Sequence, residues 1–144
     1  MWADTVLDTE RAHLLRLALW AAGSVLIGTA LLGWVRRTRG DASLLFHFAV
    51  QTAAWGVVDL LIVAAAHGTL VLRDHASARR LERFLWLSTG LDAGFVAVGI
   101  TLALAGWSMG RRMGAVGAGI GVVVQGLALL LLDLVIADQL SRMV

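Results

Sequence analysis

Four apolar runs divide the chain, and each is close to the length that a helix needs to cross a lipid bilayer. They extend over about residues 14–35, 44–66, 85–107 and 114–137. Roughly 20 consecutive apolar residues in a helix span the hydrocarbon core. The pattern therefore predicts an all-α fold, an antiparallel four-helix transmembrane bundle that forms a single domain over residues 1–144.

The composition supports a membrane setting. Hydrophobic residues make up 59% of the chain and charged residues only 15%, and the mean hydropathy is +0.82. Soluble domains are about 45–50% apolar. A soluble protein with four such helices would expose most of its apolar surface to water. The lipid bilayer is accordingly the first partner that we expect.

Polar side chains recur along the second apolar run at a helical interval. His47, Gln51, Trp55 and Asp59 are each four residues apart. Such a row winds slowly round a helix, so one neighbouring helix does not receive all four side chains. Ionisable and amide groups inside a membrane are costly, and each is a candidate for a site. We therefore take these four residues as candidate binding residues.

The third and fourth runs carry further polar groups. Gln125 and Asp133 repeat the eight-residue interval of Gln51 and Asp59, and Asp92 lies in the third run. At 1.5 Å per helical residue, the three aspartates lie roughly 6–11 Å inside the same membrane face, the one shared by both termini. The sequence thus predicts a polar pocket that opens towards the terminal face, with the two amides at its floor.

This pocket has two interpretations, which the sequence leaves open. In the first, Asp59, Asp92 and Asp133 bind or transport a proton, a cation or a small basic ligand, with Gln51 and Gln125 in support. In the second, the polar groups only hold the helices together, at about 0.6–2 kcal/mol for each hydrogen bond. The chain would then be a non-catalytic accessory or scaffold subunit of a larger membrane complex.

Missing residue types and motifs exclude other functions. The chain contains no Cys, which excludes disulfides, thiolate metal sites and thiol catalysis. The glycines of residues 114–121 follow no strand and precede no Lys, so they form no phosphate loop. A haem or metal role centred on His47 is the weakest class, because the first run offers no second histidine at matching depth. We expect no enzyme activity, no catalytic residue, no metal, no cofactor and no nucleic-acid partner.

Two further patterns concern assembly. A shift of 73 residues superposes Gly33-Trp34 on Gly106-Trp107, and a shift of 74 superposes the two Gln/Asp pairs. The coincidence indicates two repeated helical hairpins, with chance similarity as the alternative. Small residues let helices approach closely. A homodimer is therefore expected through a set of four glycines: Gly117, Gly121, Gly90 and Gly94.

The segments between the apolar runs carry local predictions. Residues 76–83 look helical and lead without a break into the third run, with Asp74 as the helix cap. Gly40-Asp41 is predicted to turn the chain between the first two runs. His13 is predicted to be a solvated side chain at the membrane interface.

Three motifs resemble those of a family of uncharacterised small bacterial four-helix membrane proteins. They are residues 51–59 (QTAAWGVVD), residues 91–95 (LDAGF), and residues 119–126 (GIGVVVQG) followed by Asp133. The family pattern has Asn where Ser88 stands and Tyr where Phe95 stands. The resemblance implies a four-helix membrane fold in the bacterial cytoplasmic membrane, and it carries no activity to this chain.

Overall fold

The computed structural model describes residues 1–38 and 42–144, and within them it forms four α-helices and no strand. Each predicted apolar run lies inside one helix, so the all-α four-helix fold is confirmed. The turn predicted at Gly40-Asp41 lies outside the described residues. In chain order the helices are α1 (Trp2–Arg37), α2 (Ser43–His67), α3 (His75–Ser108) and α4 (Met113–Ser141).

The first and third helices are longer than their apolar runs. The carboxylate of Asp74 caps α3 by accepting a hydrogen bond from the backbone N–H of Ser77 at 2.8 Å, as predicted. Hydrogen bonds from Ser77 also hold the pKa of the Asp74 carboxyl below its ordinary value. The helix then runs unbroken to Ser108. Likewise, α1 begins at Trp2 and continues without interruption through the first apolar run.

The four helices pack as two hairpins. Helix α1 packs against α2, and α3 packs against α4, while the contact between α2 and α4 joins the hairpins. A smaller contact links α1 to α4, and α2 and α3 share no extensive interface. The bundle is therefore closed along α2–α4 and open between α2 and α3.

Glycines set the closest approaches within each hairpin. A Cβ added at Gly28 of α1 would lie 2.6 Å from the backbone nitrogen of Ala53 on α2. A Cβ at Gly99 of α3 would lie 2.8 Å from the carbonyl oxygen of Gly119 on α4. Neither position has room for a side chain, so these backbones touch directly, as in other small-residue helix pairs.

Two of the four glycines predicted to form a dimer face lie inside the chain instead. Gly117 packs against the backbone of Leu44, and Gly121 packs against the side chain of Gln51, so both belong to the α2–α4 contact. The prediction missed this because small-residue spacing does not say which helix approaches. Gly90 and Gly94 of α3 do face open space.

Both chain ends lie at the same end of the bundle. The indole N–H of Trp2 donates to the carbonyl oxygen of Met143 at 3.0 Å, and its ring stacks on His75 with centroids 3.9 Å apart. Beneath this contact is a small apolar core that joins α1, α3 and α4, formed by Val6, Leu85, Ile136, Ala137 and Leu140.

All four helices are long and apolar enough to cross a membrane, which suggests a membrane protein. Large apolar side chains point outward on every helix, among them Leu19, Leu61, Leu104 and Leu131. In a bilayer these side chains would contact lipid, which removes the penalty that water would impose on an apolar surface of this extent.

The close contact at Gly28 generates a testable prediction. Replacing Gly28 by Ala forces its Cβ into the backbone of α2, and we expect a loss of on the order of 1–3 kcal/mol in the free energy of unfolding. Gly23→Ala on the same helix is the control, because its Cβ would meet nothing within 4 Å. The free energy of unfolding of both variants is measured in mild detergent. Equal stability of the two would contradict the packing described here.

Candidate functional site

A cavity of about 420 Å³ lies between the four helices, near the end that holds the termini. Its wall includes Asp59 from α2, Asp92 from α3 and Asp133 from α4. The side chains are buried, with residue exposures of 1%, 4% and 9%. The structure therefore brings the three predicted aspartates to one space, and its volume lies in the roughly 300–1,000 Å³ range of small-molecule sites.

A chain of two hydrogen bonds anchors one of these acids. The amide nitrogen of Gln125 donates to Oδ2 of Asp59 at 2.5 Å. The amide oxygen of Gln125 accepts from the indole N–H of Trp20 on α1 at 3.0 Å. Because both ends of the amide have a partner, its orientation is fixed. Gln125 thus holds the Asp59 carboxyl in place from the side away from the termini.

His13 faces Asp133, contrary to its predicted place in solvent. Its Nε2 lies 3.6 Å from Oδ1 of Asp133, and the residue is buried. The prediction treated His13 as part of a wet entrance because it precedes the apolar run. Helix α1 is continuous there, and its buried face includes His13, Leu17, Ala21 and Ser24. Counted back from Leu17, the same three- and four-residue spacing reaches His13. This spacing would have predicted that His13 is buried.

A buried ion pair covers the terminal side of the cavity. The Arg73 guanidinium donates to both carboxylate oxygens of Glu10, at 2.5 Å and 2.9 Å. This contact also raises the pKa of Arg73, so the arginine stays charged. Sequence analysis missed both residues, since Glu10 precedes the first apolar run and Arg73 lies in a loop. Their pairing joins the α2–α3 loop to α1.

Two of the residues that line the cavity each have a carboxylate oxygen without a partner. Asp59 Oδ1 and Asp92 Oδ2 are buried and form no hydrogen bond with the described residues, and His13 Nδ1 shares this property. Buried polar atoms in proteins nearly always have a partner. A carboxylate accepts hydrogen bonds only. The site therefore suits a bound group that donates hydrogen bonds and carries positive charge.

Three predicted site residues lie away from the cavity. Gln51 packs on Gly121 and forms no side-chain hydrogen bond with the part of the chain that the structure describes. Trp55 makes an edge contact with Phe95, with ring centroids 5.3 Å apart. His47 is exposed near the opposite end, where its Nδ1 lies 2.8 Å from the Ser43 carbonyl oxygen. Their four-residue spacing correctly places them along one helix with Asp59. The rotation of α2 within the bundle brings Asp59 to the cavity and directs the other three side chains away from it.

Comparison with known proteins identifies the family. The chain belongs to a family of unknown function (DUF6992), whose profile matches residues 16–134. The matched segment includes the three aspartates and Gln125, and it excludes Glu10 and His13. Searches of curated proteins and of solved structures found no match. Membership of DUF6992 thus agrees with the resemblance to an uncharacterised family and supplies no activity.

Gln125 and Gln51 form a matched pair for mutation. Gln125→Leu leaves the Trp20 N–H and Asp59 without their shared partner, and we expect a loss of about 1–3 kcal/mol in the free energy of unfolding. Gln51→Leu removes no hydrogen bond and should change stability by less than about 0.5 kcal/mol. Denaturation in detergent, followed by tryptophan fluorescence, checks both. A larger effect at Gln51 would refute the assignment of Gln125 as the anchor.

The Glu10–Arg73 pair is tested by a double-mutant cycle. Glu10→Gln and Arg73→Gln should each destabilise the protein by on the order of 1–3 kcal/mol, because each leaves a charge in a poorly solvated place. The double variant should lose less than the sum of the single losses. Arg11→Gln is the control, since its contact with Asp8 is exposed. Strict additivity would mean that the pair does not hold the loop.

Proposed function

We propose that this DUF6992 protein is an integral protein of the bacterial cytoplasmic membrane that binds a small basic ligand between Asp59, Asp92 and Asp133. One observation carries the proposal. Asp59 and Asp92 line a cavity of about 420 Å³, and each has one buried carboxylate oxygen without a hydrogen-bond partner among the described residues. A polar wall without internal partners is typical of a site that is completed by a ligand.

The charges that line the cavity favour a cation. Glu10 is paired with Arg73, and Asp133 has His13 beside it. This leaves Asp59 and Asp92 with no basic partner among the described residues. An uncompensated charge inside a membrane is costly. A bound proton or cation removes that cost, so occupancy by positive charge should stabilise the fold.

The spacing of the acids favours an organic cation over a metal ion. Within residues 1–38 and 42–144, no three His, Asp or Glu side chains lie close enough together to hold a metal ion. The carboxylates border a space of small-molecule size instead. An ammonium or guanidinium group has several N–H donors and forms charge-assisted hydrogen bonds to more than one carboxylate. We therefore take a small amine as the best ligand class.

The packing beyond the cavity favours binding over an open channel. On the side away from the termini, Gly121 touches Gln51 and Gly117 touches Leu44. Gly99 packs on Val123 at the same time. These contacts hold α4 closely against both α2 and α3 on that side of the cavity. Transport through this site would require the two hairpins to move against each other.

An internal duplication is part of the proposal. Gly117 contacts Leu44, and Gly121 approaches the carbonyl oxygen of Phe48, so both pairs are 73 residues apart (117 − 44 and 121 − 48). This is the same offset that superposes the Gly-Trp pairs of the two hairpins. Two copies related by a two-fold axis contact each other through equivalent positions. The register of α2 against α4 therefore supports two repeated hairpins.

The rival proposal is an accessory or scaffold subunit of a larger membrane complex. The outward-facing pair Gly90 and Gly94 on α3 favours it, because a second copy or another helix would fit closely there. In that case the Gln125–Asp59 hydrogen bond would serve only to hold α2 and α4 together. The two proposals differ in whether a ligand stabilises the isolated protein.

Butylammonium chloride is a suitable probe, with sodium chloride at equal concentration as the salt control. We expect butylammonium to raise the free energy of unfolding of the purified protein by about 2.7 kcal/mol at 100 times its Kd, and its melting temperature accordingly. Asp92→Asn should weaken binding at least about tenfold, since it removes an acceptor charge. Asp138→Asn should leave binding unchanged, because Asp138 is an exposed residue of the same chain outside the cavity.

The outcomes separate the two proposals. Retained folded yield of Asp92→Asn with loss of the butylammonium effect supports the binding site. No stabilisation of the wild type, together with reduced folded yield of Asp59→Asn and Asp92→Asn, would refute the binding site and support the scaffold.

A further inference from the structure

The cavity has a lateral opening between α2 and α3. These two helices share no extensive interface, although their residues line the same cavity. Ile62 of α2 and Phe84 of α3 both line it, and both are also exposed on the outer surface, by 51% and 62%. A residue that borders a cavity and the outside at once marks its mouth. The exposed loop residue Thr69 also lines the cavity, so the mouth extends from the gap between α2 and α3, where a bilayer would lie, to the loop that joins them.

Two contacts limit the opening, one on the side of the bundle's middle and one on the side of the termini. Towards the middle of the bundle, the Trp55–Phe95 edge contact bridges α2 and α3. Both residues lie one helical turn beyond Asp59 and Asp92. Towards the termini, the Glu10–Arg73 pair ties the α2–α3 loop to α1. The opening thus leads from the apolar surface to the level of Asp59 and Asp92, each of which has one unpartnered oxygen.

We infer that the site takes a single-chain amphipathic amine that enters between α2 and α3 from the bilayer. The ammonium group would lie between Asp59 and Asp92, and its apolar tail would leave past Ile62 and Phe84. This inference rests on the proposed binding function and adds the ligand's shape and its route. A tail keeps the amine in the bilayer, where the mouth lies, and the charge reaches carboxylates that are buried from water.

The cavity disfavours a phospholipid headgroup as the source of the amine. A phosphate needs cationic or N–H partners. Both basic side chains of the lining are already engaged, Arg73 by the two oxygens of Glu10 and His13 by Asp133. A phosphate would therefore meet carboxylates with no cation to spare. An amine without phosphate fits the same wall without this conflict.

The experiment uses the full chain in phosphatidylcholine nanodiscs and three probes. Decylamine has the charge and the tail, butylamine has the charge with a short tail, and decanol has the tail without the charge. We expect decylamine to stabilise the wild type at a total concentration at least about tenfold below that of butylamine, because apolar methylenes concentrate it in the bilayer. Decanol should not stabilise the protein, and Asp92→Asn should raise the concentration needed of either amine at least about tenfold.

Two variants of α3 test the route. Phe84 and Leu87 are almost equally exposed, at 62% and 63%, but only Phe84 lines the cavity. Phe84→Ala should raise the decylamine concentration for half-maximal stabilisation at least about threefold, through lost contact with the tail, and should raise the butylamine concentration by a smaller factor. Leu87→Ala should change neither. Replacing phosphatidylcholine by phosphatidylethanolamine should leave the decylamine response intact.

Each failure has a distinct meaning. Equal potency of the two amines, or no effect of Phe84→Ala, would overturn lateral entry while a butylamine response preserves the proposed function. Stabilisation by decanol would overturn the role of the ammonium group. Loss of the decylamine response in phosphatidylethanolamine would overturn the single-chain ligand in favour of the lipid. No response to either amine would overturn the proposed function as well.

Discussion

The close contact between α2 and α4 is the constraint on which the rest of the structure depends. Glycines 117 and 121 let the α4 backbone lie against α2. The two helices run parallel, so equal distances from this contact reach equal levels. Asp59 is 15 residues beyond Leu44 and Asp133 is 16 beyond Gly117, which brings both carboxyls to one level. The Gln125–Asp59 hydrogen bond forms across the same pair of helices.

The cavity is a consequence of the α2–α4 contact. With α2 held against α4, and α3 packed mainly on α4, the bundle leaves a space between α2 and α3. Asp92 enters it from α3 while Asp59 and Asp133 enter from the closed side. The glycine contacts thus close the bundle where α4 meets α2 and α3, and the bundle stays open between α2 and α3. The cavity lies between the closed and the open side. The cavity opens between α2 and α3 without any break in the described helices.

Sequence reasoning predicts the helices and the level of the acids, because apolar length and helical rise fix both. It does not predict which face of a helix meets which neighbour. Gln51 and Gln125 each precede an aspartate by eight residues, yet only Gln125 donates to an aspartate, since the rotation of each helix is set by packing. Glu10 and Arg73 were missed for another reason. Hydropathy marks apolar runs, and these residues lie outside them, where only tertiary contact reveals their pairing.

Chemical cross-linking measures most directly whether acids from separate helices meet at one cavity. The chain has no native Cys, so pairs of single replacements report without background. A short bifunctional thiol reagent should join Asp59→Cys to Asp92→Cys, and Asp92→Cys to Asp133→Cys, within one chain. His47→Cys with Asp92→Cys, at different levels of the bundle, should remain unlinked. Efficient linking of that control pair with none between the aspartate positions would contradict the account.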